Sequence, residues 1–313
     1  MATQICVSVV VCCYTMRRRQ VLGGAVDAAL GQLEPADELI VVVDGDDDER
    51  ADELYRDLSV TYSDRIMLVR NEFARGLSGA RNTGLQAAIG DVVVFLDDDA
   101  VLHSGGLDAV RTAFVDPAVT ALGGAVHPDW YGGTAPTWFP PEFGWVVGCD
   151  YRGLPADGAP IRNPIGAAMA VRRAPLDEIG GFSSALGRVG TVPTGCEETL
   201  MGIALAQRDP RARILRNTDF AVSHLVTPDR ATVSYFVSRC FHEGRSKAVL
   251  TSLCGQRSSL RSERTYTTRT LPSGMWHARA DVSRMAAMVA GLIVTTIGYL
   301  VGRLDLRRRK DLR

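Results

Sequence analysis

The sequence predicts an α/β protein in which helices flank a mostly parallel sheet. Over the first hundred residues, short apolar runs rich in β-branched residues alternate with segments of helical spacing, a pattern typical of βαβ units. Polar residues directly follow three of these runs. Because ligands of parallel sheets bind at the carboxyl ends of the strands, the pattern also predicts where a binding site lies.

The predicted elements follow one another in a regular order. Strands are expected at 5–13, 38–43, 66–69 and 92–96, with helices between them at 21–33, 51–58 and 78–89. The unbroken apolar runs predict strands buried on both faces. Further along, a helix that opens on two acids is expected at 197–206. The stretch 123–141, rich in glycine, proline and tryptophan, predicts an irregular loop region facing a substrate.

Charge and cysteine usage give weaker indications. Residues 1–207 carry 15 Lys and Arg against 28 Asp and Glu, whereas residues 208–313 carry 20 against 8, so balances of −13 and +12 make up the net charge of −1. The basic part could face phosphates, nucleic acid or a lipid surface, or simply pack on the acidic part. An odd number of cysteines without C-x-x-C indicates reduced thiols in a cytosol. No N-terminal signal peptide is expected.

The run VVVFLDDDA ends in three consecutive acids, Asp97, Asp98 and Asp99. Side chains alternate along a strand, so Asp97 and Asp99 can share a direction that Asp98 does not. Two converging carboxylates suit Mg²⁺ or Mn²⁺, which bind through one or two carboxylates and substrate phosphates. Such a cation would offset the repulsion between these like charges. The alternative is a solvated acidic turn.

Several segments in order carry a family resemblance. They are VSVVVCCY, VVVDGDDDE, NEFARGLSGARNTGLQAAIGD, VVVFLDDDA, NPIGAAMAV, GGF and GCEETL. Together, over residues 5 to about 250, they resemble the inverting family-2 glycosyltransferases of the GT-A fold. The pair Tyr14-Thr15 departs mildly from the family's usual Tyr-Asn. The stretch SRCFHEGRSKA is similar to stretches in actinobacterial and archaeal glycosyltransferases that act on lipid-phosphate-linked sugars, including glucuronosyltransferases.

The resemblance implies a donor site and a metal. The donor would be a nucleotide-diphosphate sugar, in the first place a UDP-sugar such as UDP-glucuronate or a UDP-hexose. Tyr14 would pack on its base and Asp44 would hydrogen-bond it, and Mn²⁺ or Mg²⁺ would sit on its pyrophosphate. The donor-binding residues would be Tyr14, Asp44, Arg75, Arg81, Asp97, Asp98 and Arg245, and the metal ligands would be Asp97, Asp99 and His224. Structural roles are the alternatives: a core-edge aromatic for Tyr14, a turn former for Asp44, a solvated helix face for Arg81 and a structural histidine for His224.

The same resemblance assigns a general base. In the family it is the second acid of a pair, here Glu198, with Glu197 as the fallback; plain charge at a helix N-terminus is the alternative. Arg239, His242, Arg245 and Lys247 are expected in a basic loop that closes over phosphates. The acceptor would be a lipid-linked sugar or glycan, and nucleic acid is not an expected partner.

The residues 285–302 contain no charge and reach roughly 27 Å as a helix, which is marginal for a membrane span. Ala287, Gly291, Thr295, Gly298 and Gly302 form a small-residue face that allows close helix packing. The basic tail after residue 302 disfavours export of the C-terminus. We therefore expect an enzyme bound to the cytoplasmic face of the cell membrane. A full span and a dimerising helix, which would make a homo-oligomer, are the alternatives.

The predicted domains follow from these segments. A catalytic domain spans 1–250, with a nucleotide-sugar half at 1–110 and an acceptor half at 111–250. A basic amphipathic connector (251–284), an apolar helix (285–302) and a basic tail (303–313) follow. One alternative function is nucleotidyl transfer, but CCYTMRRR lacks the glycine-rich loop it needs after the first strand. Another is a catalytically silent nucleotide-sugar-binding module, which the retained acids at 97–99 and 197–198 argue against.

Overall fold

The computed structural model describes residues 4–15, 18–44, 48–188, 194–255 and 261–311. In this part of the chain, eight strands form one mixed sheet in the order β3-β2-β1-β4-β7-β6-β8-β5. The strands are β1 Val7–Cys13, β2 Glu38–Val43, β3 Met67–Arg70, β4 Val92–Asp97, β5 Ala100–Leu102, β6 Val119–Trp130, β7 Ala168–Arg172 and β8 Arg213–Val226.

Helices flank the sheet and continue beyond it. They are α1 Arg19–Leu30, α2 Asp48–Tyr62, α3 Leu77–Ala87, α4 Gly106–Phe114, α5 Arg173–Glu178, α6 Glu197–Arg208, α7 Val233–Cys254, α8 Arg261–Thr265, α9 Leu271–His277 and α10 Val282–Asp311. Two 3₁₀ segments, Ser63–Arg65 and Pro141–Val147, and a π-helical segment, Tyr266–Thr270, complete the regular structure.

The first half of the sheet is parallel, as the sequence predicts. Strand β1 pairs with both β2 and β4, and β2 pairs with β3, all in parallel. In this register Cys12 lies beside Asp97 and Cys13 beside Val43. The residues that follow β1, β2 and β4 therefore emerge at the same end of the sheet, where the binding site is expected.

The second half of the sheet is mixed. Strand β7 runs antiparallel to both β4 and β6, whereas β8 runs parallel to β6. Strand β5, which directly follows the three aspartates, pairs antiparallel with β8 and places Ala100 opposite His224. This pairing brings His224, which is distant in sequence, to the end of β4. The two predicted halves, divided at residue 110, thus contribute strands to one sheet.

The prediction of an irregular loop over 123–141 is wrong for its first part, because β6 extends to Trp130. Glycines in strands mark positions where another group approaches closely. A Cβ on Gly124 would lie 2.4 Å from the carbonyl oxygen of Phe220, and one on Gly123 would lie 2.6 Å from Ile161. These glycines indicate tight packing of β6 rather than a loop.

The C-terminal helix α10 packs along α7 within the same chain. A Cβ on Gly244 of α7 would lie 2.1 Å from the Thr295 carbonyl oxygen, and one on Gly298 of α10 would lie 2.1 Å from that of Phe241. Gly302 approaches Ala248 in the same way. The small-residue face of α10 therefore contacts α7, and a dimer cannot use it while this packing persists. The predicted connector, outside 256–260, is helical in α8, the π-helical segment and α9.

The close contact between α7 and α10 leads to a stability prediction. Gly298→Leu is expected to lower the thermal midpoint, because the new side chain meets backbone that cannot move aside, and overpacking of this kind costs about 1–3 kcal/mol. The control is Ala290→Leu, at an exposed position of the same helix. Differential scanning fluorimetry of both variants in detergent measures the effect. Equal midpoints would contradict the packing of α10 on α7.

Candidate active site

The ends of β1, β2 and β4 surround a small pocket of about 70 Å³. The structure brings four of the predicted donor residues together there. Three arginines face the same pocket. The lining side chains include Tyr14, Arg18, Asp44, Asp97, Asp98, Asp99, Arg188 and Arg230. A pocket that holds both acids and arginines suits a metal together with an anionic ligand such as a diphosphate.

Asp97, Asp99 and His224 form a cluster that could hold a metal ion, with one ligand atom from each residue lying within 4.8 Å of the others. The Nε2 atom of His224 lies 3.0 Å from Asp99 Oδ1 and 3.9 Å from Asp97 Oδ2. Asp98 is not one of these three residues and accepts a hydrogen bond of 2.6 Å from Arg18, whose Nη1 also contacts Asp99 at 3.0 Å. However, β4 ends at Asp97 and a turn carries Asp98 and Asp99 to β5, so the predicted alternation along a strand does not extend through these three residues.

The electrostatics of this cluster show how its acids are balanced. Burial raises the pKa of Asp98 to about 6, although Arg18 opposes the shift. Burial also acts on Asp99, but His224, Arg230 and Arg18 outweigh it and hold the pKa of Asp99 well below its usual range. Burial lowers the pKa of His224, and Asp99 more than compensates, raising it to about 10. A protonated imidazole and two guanidiniums therefore balance the acids, and a bound cation would replace the imidazole proton.

The second ring nitrogen of His224 is also engaged. Its Nδ1 atom lies 3.3 Å from the sulfur of Cys149, which in turn contacts the Val147 carbonyl oxygen at 3.7 Å. Both His224 and Cys149 are buried. Contacts to the second nitrogen fix the orientation of a ligand histidine, so Cys149 orients Nε2 toward the two aspartates.

Asp44 supports the loop that precedes α3. Its carboxylate accepts hydrogen bonds from Asn71 Nδ2 at 2.8 Å and from the Gly76 backbone N–H at 2.9 Å. The side chain lines the small pocket as well. Arg75, next to Gly76, is exposed and does not line this pocket. The structure thus brings Asp44 to the site but not Arg75.

Arg81 lies between the metal cluster and the predicted base. It is 1% exposed; its Nη1 contacts Glu197 at 3.0 Å and Glu198 at 3.3 Å, and its Nη2 contacts Asp97 at 3.5 Å. Its Nη2 also donates to the Gly166 carbonyl oxygen. Arg81 is therefore buried among three carboxylates and is not on a solvated helix face, the alternative given for it above.

The two glutamates open α6 and differ in exposure. Glu197 is 3% exposed, and its Oε2 has no hydrogen-bond partner among the described residues. Glu198 is partly buried, and burial together with the neighbouring Glu197 raises its pKa to about 8, against the opposing effect of Arg81. A carboxyl with a pKa near neutrality is suited to exchange protons with a substrate.

A larger cavity of about 660 Å³ adjoins the small pocket. The two share Leu77, Asp97, Arg188 and Arg230 as lining residues. Both glutamates line the larger cavity, as do residues of α7, of the segment 262–271 and of α10. The acids of α6 thus face a space large enough for a second substrate. This space lies beside the small pocket, which suits a metal and an anionic ligand.

The expected basic loop is instead part of α7. The ion pairs Arg239–Glu243 and Glu243–Lys247 have i,i+4 spacing, which stabilises a helix. Arg239 and Lys247 line the large cavity. Arg245 points away, forms an ion pair of 3.0 Å with Asp305 of α10, and lines neither of the two cavities. Its predicted role at the donor is therefore not supported by its position.

Sequence reasoning missed four residues of the site: Arg18, Cys149, Arg188 and Arg230. Arg18 and Arg230 contact Asp99 at 3.0 and 3.3 Å. Each is one of many arginines in the chain, and no spacing distinguishes them. Arg18 alone had a local signal, since it closely follows the first strand.

Comparisons with known proteins agree with this geometry. The family described as Glycosyl transferase family 2 matches residues 8–180. A glucosyl-dolichyl phosphate glucuronosyltransferase of Haloferax volcanii is 34% identical over 255 residues, which cover 80% of this chain and 79% of that protein.

Solved structures show the same fold. A mannosyltransferase from Pyrobaculum calidifontis in complex with GDP-Man and Mn²⁺ superposes with a TM-score of 0.61 at 18% identity, covering 92% of this chain and 86% of that one. GalNAc-T7 with UDP, GalNAc and Mn²⁺ gives a TM-score of 0.54 at 15% identity, covering 90% of this chain and 58% of that one. The mixed sheet with flanking helices is thus GT-A-like, and the chain belongs to glycosyltransferase family 2.

Proposed function

We propose that the protein is a metal-dependent, inverting glycosyltransferase that moves a sugar from a nucleoside diphosphate to a hydroxyl of a lipid-linked sugar or glycan. The observation that carries the proposal is the position of Arg81. One guanidinium contacts Asp97 of the metal cluster and both glutamates of the larger cavity. A donor in the small pocket and an acceptor in the large cavity would therefore meet beside a potential base.

The residues present fit a divalent cation. Asp97, Asp99 and His224 offer two carboxylates and one imidazole, and the imidazole favours Mn²⁺ over Mg²⁺, which prefers oxygen ligands alone. When bound, the ion would supply positive charge against the leaving diphosphate. The two solved structures named above contain Mn²⁺. Arg18, Arg188 and Arg230 line the same pocket and would bind the diphosphate oxygens that the metal does not contact.

Glu198 is the proposed general base. It would accept the proton of the acceptor hydroxyl as that oxygen attacks the anomeric carbon, and a single displacement of this kind inverts the configuration. Its partial exposure lets a substrate reach it, whereas Glu197 is more deeply buried against Arg81. Arg81 holds both carboxylates and acts as a positioning residue.

The proposals for donor, acceptor and location draw support from the relatives. The Haloferax volcanii protein is named for a glucosyl-dolichyl phosphate and for glucuronosyl transfer, so we propose a lipid-phosphate sugar as the acceptor. We propose a UDP-sugar as the donor, as the family resemblance implies; of the two solved structures, GalNAc-T7 contains UDP and the mannosyltransferase contains GDP-Man. The large cavity carries aromatic rings that suit a sugar, namely Trp145, Tyr151 and Tyr266. Such lipids reside in membranes, and nucleotide sugars in the cytoplasm, so the enzyme would work on the cytoplasmic face.

The base assignment predicts a pH profile. A general base acts when deprotonated, so kcat/KM should fall as pH drops below about 8, the pKa to which burial and Glu197 raise Glu198. The measurement is kcat/KM between pH 5.5 and 9.5 with saturating Mn²⁺. Arg81→Lys keeps the charge but loses the fork in which Nη1 contacts both glutamates and Nη2 contacts Asp97, so it should shift this limb. A profile that is flat from pH 6 to 9 would contradict the assignment.

A donor screen tests the proposed function. The full chain is incubated with UDP- and GDP-sugars in Mn²⁺ or EDTA, and the thermal midpoint is recorded, because a ligand that binds the folded state raises it. We expect a metal-dependent shift with UDP-sugars and release of nucleoside diphosphate on addition of acceptor. Release of pyrophosphate would indicate a nucleotidyltransferase, and binding without turnover a silent module.

A further inference from the structure

The C-terminal helix α10 presents two unlike faces. Its inner face packs on α7 through glycines, and Met288 is fully buried there. Its outer face is apolar yet exposed, with exposed fractions from 42% to 56%. The outer-face residues are Val289, Ile293, Ile297, Leu300 and Leu304. An apolar strip of this length on the surface needs an occupant.

The packing of α10 decides how it can meet a membrane. Val282–Arg308 is long and apolar enough to cross one. However, α7 belongs to the catalytic domain, because its Phe236 and Cys240 lie in the main hydrophobic core together with Phe143 of the 3₁₀ segment. A span would require α10 to leave α7, or α7 to enter the bilayer with it. While the packing on α7 persists, α10 lies beside the domain with its outer face exposed.

Two features point to lipid as the occupant of the outer face. The C-terminal end of α10 carries Arg303, Arg307 and Arg308, which would complement anionic headgroups. Trp276, shortly before α10, is 68% exposed and stacks under Arg279. Tryptophan and arginine are typical of the interface between membrane and water.

The same helix forms a wall of the larger cavity. Leu292 and Thr296 line this cavity and are also exposed. Tyr299 lines the cavity, and its buried hydroxyl has no hydrogen-bond partner in the described part of the chain. The cavity mouth therefore borders the outer face of α10.

We propose that α10 lies flat in the membrane interface, with its outer face in lipid, and that the acceptor's apolar chain enters the large cavity past Leu292 and Thr296. The acceptor would slide out of the bilayer along α10 until its sugar reaches the glutamates of α6. The hydroxyl of Tyr299 would then meet the polar head of the acceptor. This inference rests on the proposed function for the identity of the acceptor, whereas the lipid contact stands on the packing of α10.

The lipid contact is tested with vesicles. The full chain is mixed with phosphatidylcholine vesicles, with and without phosphatidylglycerol, and the bound fraction is measured by flotation. Removing one apolar side chain from lipid lowers the membrane affinity by a factor of ~10 or more. The double variant Ile293→Glu, Ile297→Glu should therefore bind vesicles at least ~10-fold more weakly than wild type. The control Val60→Glu, on α2 and 83% exposed, should bind like wild type. Phosphatidylglycerol should strengthen binding of the wild type.

Two outcomes would overturn the lipid contact. Unchanged flotation of the double variant, with conversion of a dimer to a monomer, would show that the outer face meets a second copy. Labelling of Asp311→Cys by an impermeant thiol reagent in intact cells, at a level absent from wild type, would show that α10 spans the membrane. Neither outcome depends on the chemistry of the active site.

The acceptor path is tested with chain length. Thr296→Trp should narrow the mouth, lowering turnover of a long-chain glycosyl phosphate at least ~10-fold relative to a short-chain one, since a fixed path excludes the longer ligand. Flotation and the nucleotide thermal shift should stay at wild-type values. Equal losses for both acceptors, or no loss, would overturn the path. Failure of the wild type to transfer to any glycosyl phosphate would instead refute the proposed function.

Discussion

Asp99→Asn is expected to abolish metal-dependent donor binding and most turnover. Its carboxylate contacts His224 at 3.0 Å, and Arg18 and Arg230 lie within 3.3 Å of its other oxygen. Loss of a partner that only orients a metal ligand already costs 10–100-fold, so loss of a ligand should cost about 100-fold or more in the Mn²⁺-dependent affinity for UDP. Isothermal titration calorimetry with and without Mn²⁺ measures this affinity.

The matched control is Asp98→Asn. Asp98 is the adjacent acid and is buried to a similar extent, but its carboxylate contacts Arg18 and is not one of the three groups that could hold the metal. Its replacement should leave the metal dependence of UDP binding in place. Circular dichroism establishes that both variants are folded. Unchanged Mn²⁺-dependent affinity in Asp99→Asn would mean that the metal site has been misplaced.

Glu198→Gln is expected to lower kcat by at least ~100-fold with nearly unchanged donor affinity, because a positioned general base contributes that much and donor binding does not need it. Glu197→Gln is the matched control, since the same Arg81 nitrogen contacts both carboxylates. Its effect on kcat should be smaller. Single-turnover rates and donor affinity, measured for both variants, separate chemistry from binding.

The ranking of the two glutamates decides the assignment. A larger loss in Glu197→Gln would move the role of base to Glu197. Small and equal losses would reduce both residues to charges at the N-terminus of a helix. Loss of donor affinity in Glu198→Gln would indicate that Glu198 supports the donor pocket through Arg81 and Asp97.

Local patterns in the sequence predict the first half of the fold and the core of the site. The runs that form β1, β2 and β4 are largely apolar, and acids follow β2 and β4 at the pocket. Strand alternation is the reason for grouping Asp97 with Asp99 in the sequence, but Asp98 and Asp99 lie in a turn after β4, so the reason does not hold even though Asp97 and Asp99 share the cluster. His224 could be proposed only through the family resemblance. Its position depends on the antiparallel pairing of β5 with β8, which joins residues more than a hundred positions apart.

The parts that could not be predicted depend on long-range packing. The glycines of β6 resemble loop residues in sequence, and only the approach of Phe220 and Ile161 explains them. The small-residue face of α10 predicts close helix packing. The sequence pattern does not identify the partner, which is α7 and not a second copy of the chain. Arg245 lies in the stretch SRCFHEGRSKA, which is similar to stretches in known glycosyltransferases. Its position on the surface of α7 places it against Asp305 of α10 and not at the donor pocket.

The most direct test of the proposed reaction is the anomeric configuration of its product. The full chain is incubated with Mn²⁺, an α-linked UDP-sugar and a short-chain alkyl glucosyl phosphate, and the reaction is followed by proton NMR. We predict consumption of the donor that stops in EDTA, release of UDP, and a new β-anomeric doublet. An α-linked product, or transfer that continues at the same rate in EDTA, would contradict a metal-dependent inverting glycosyltransferase.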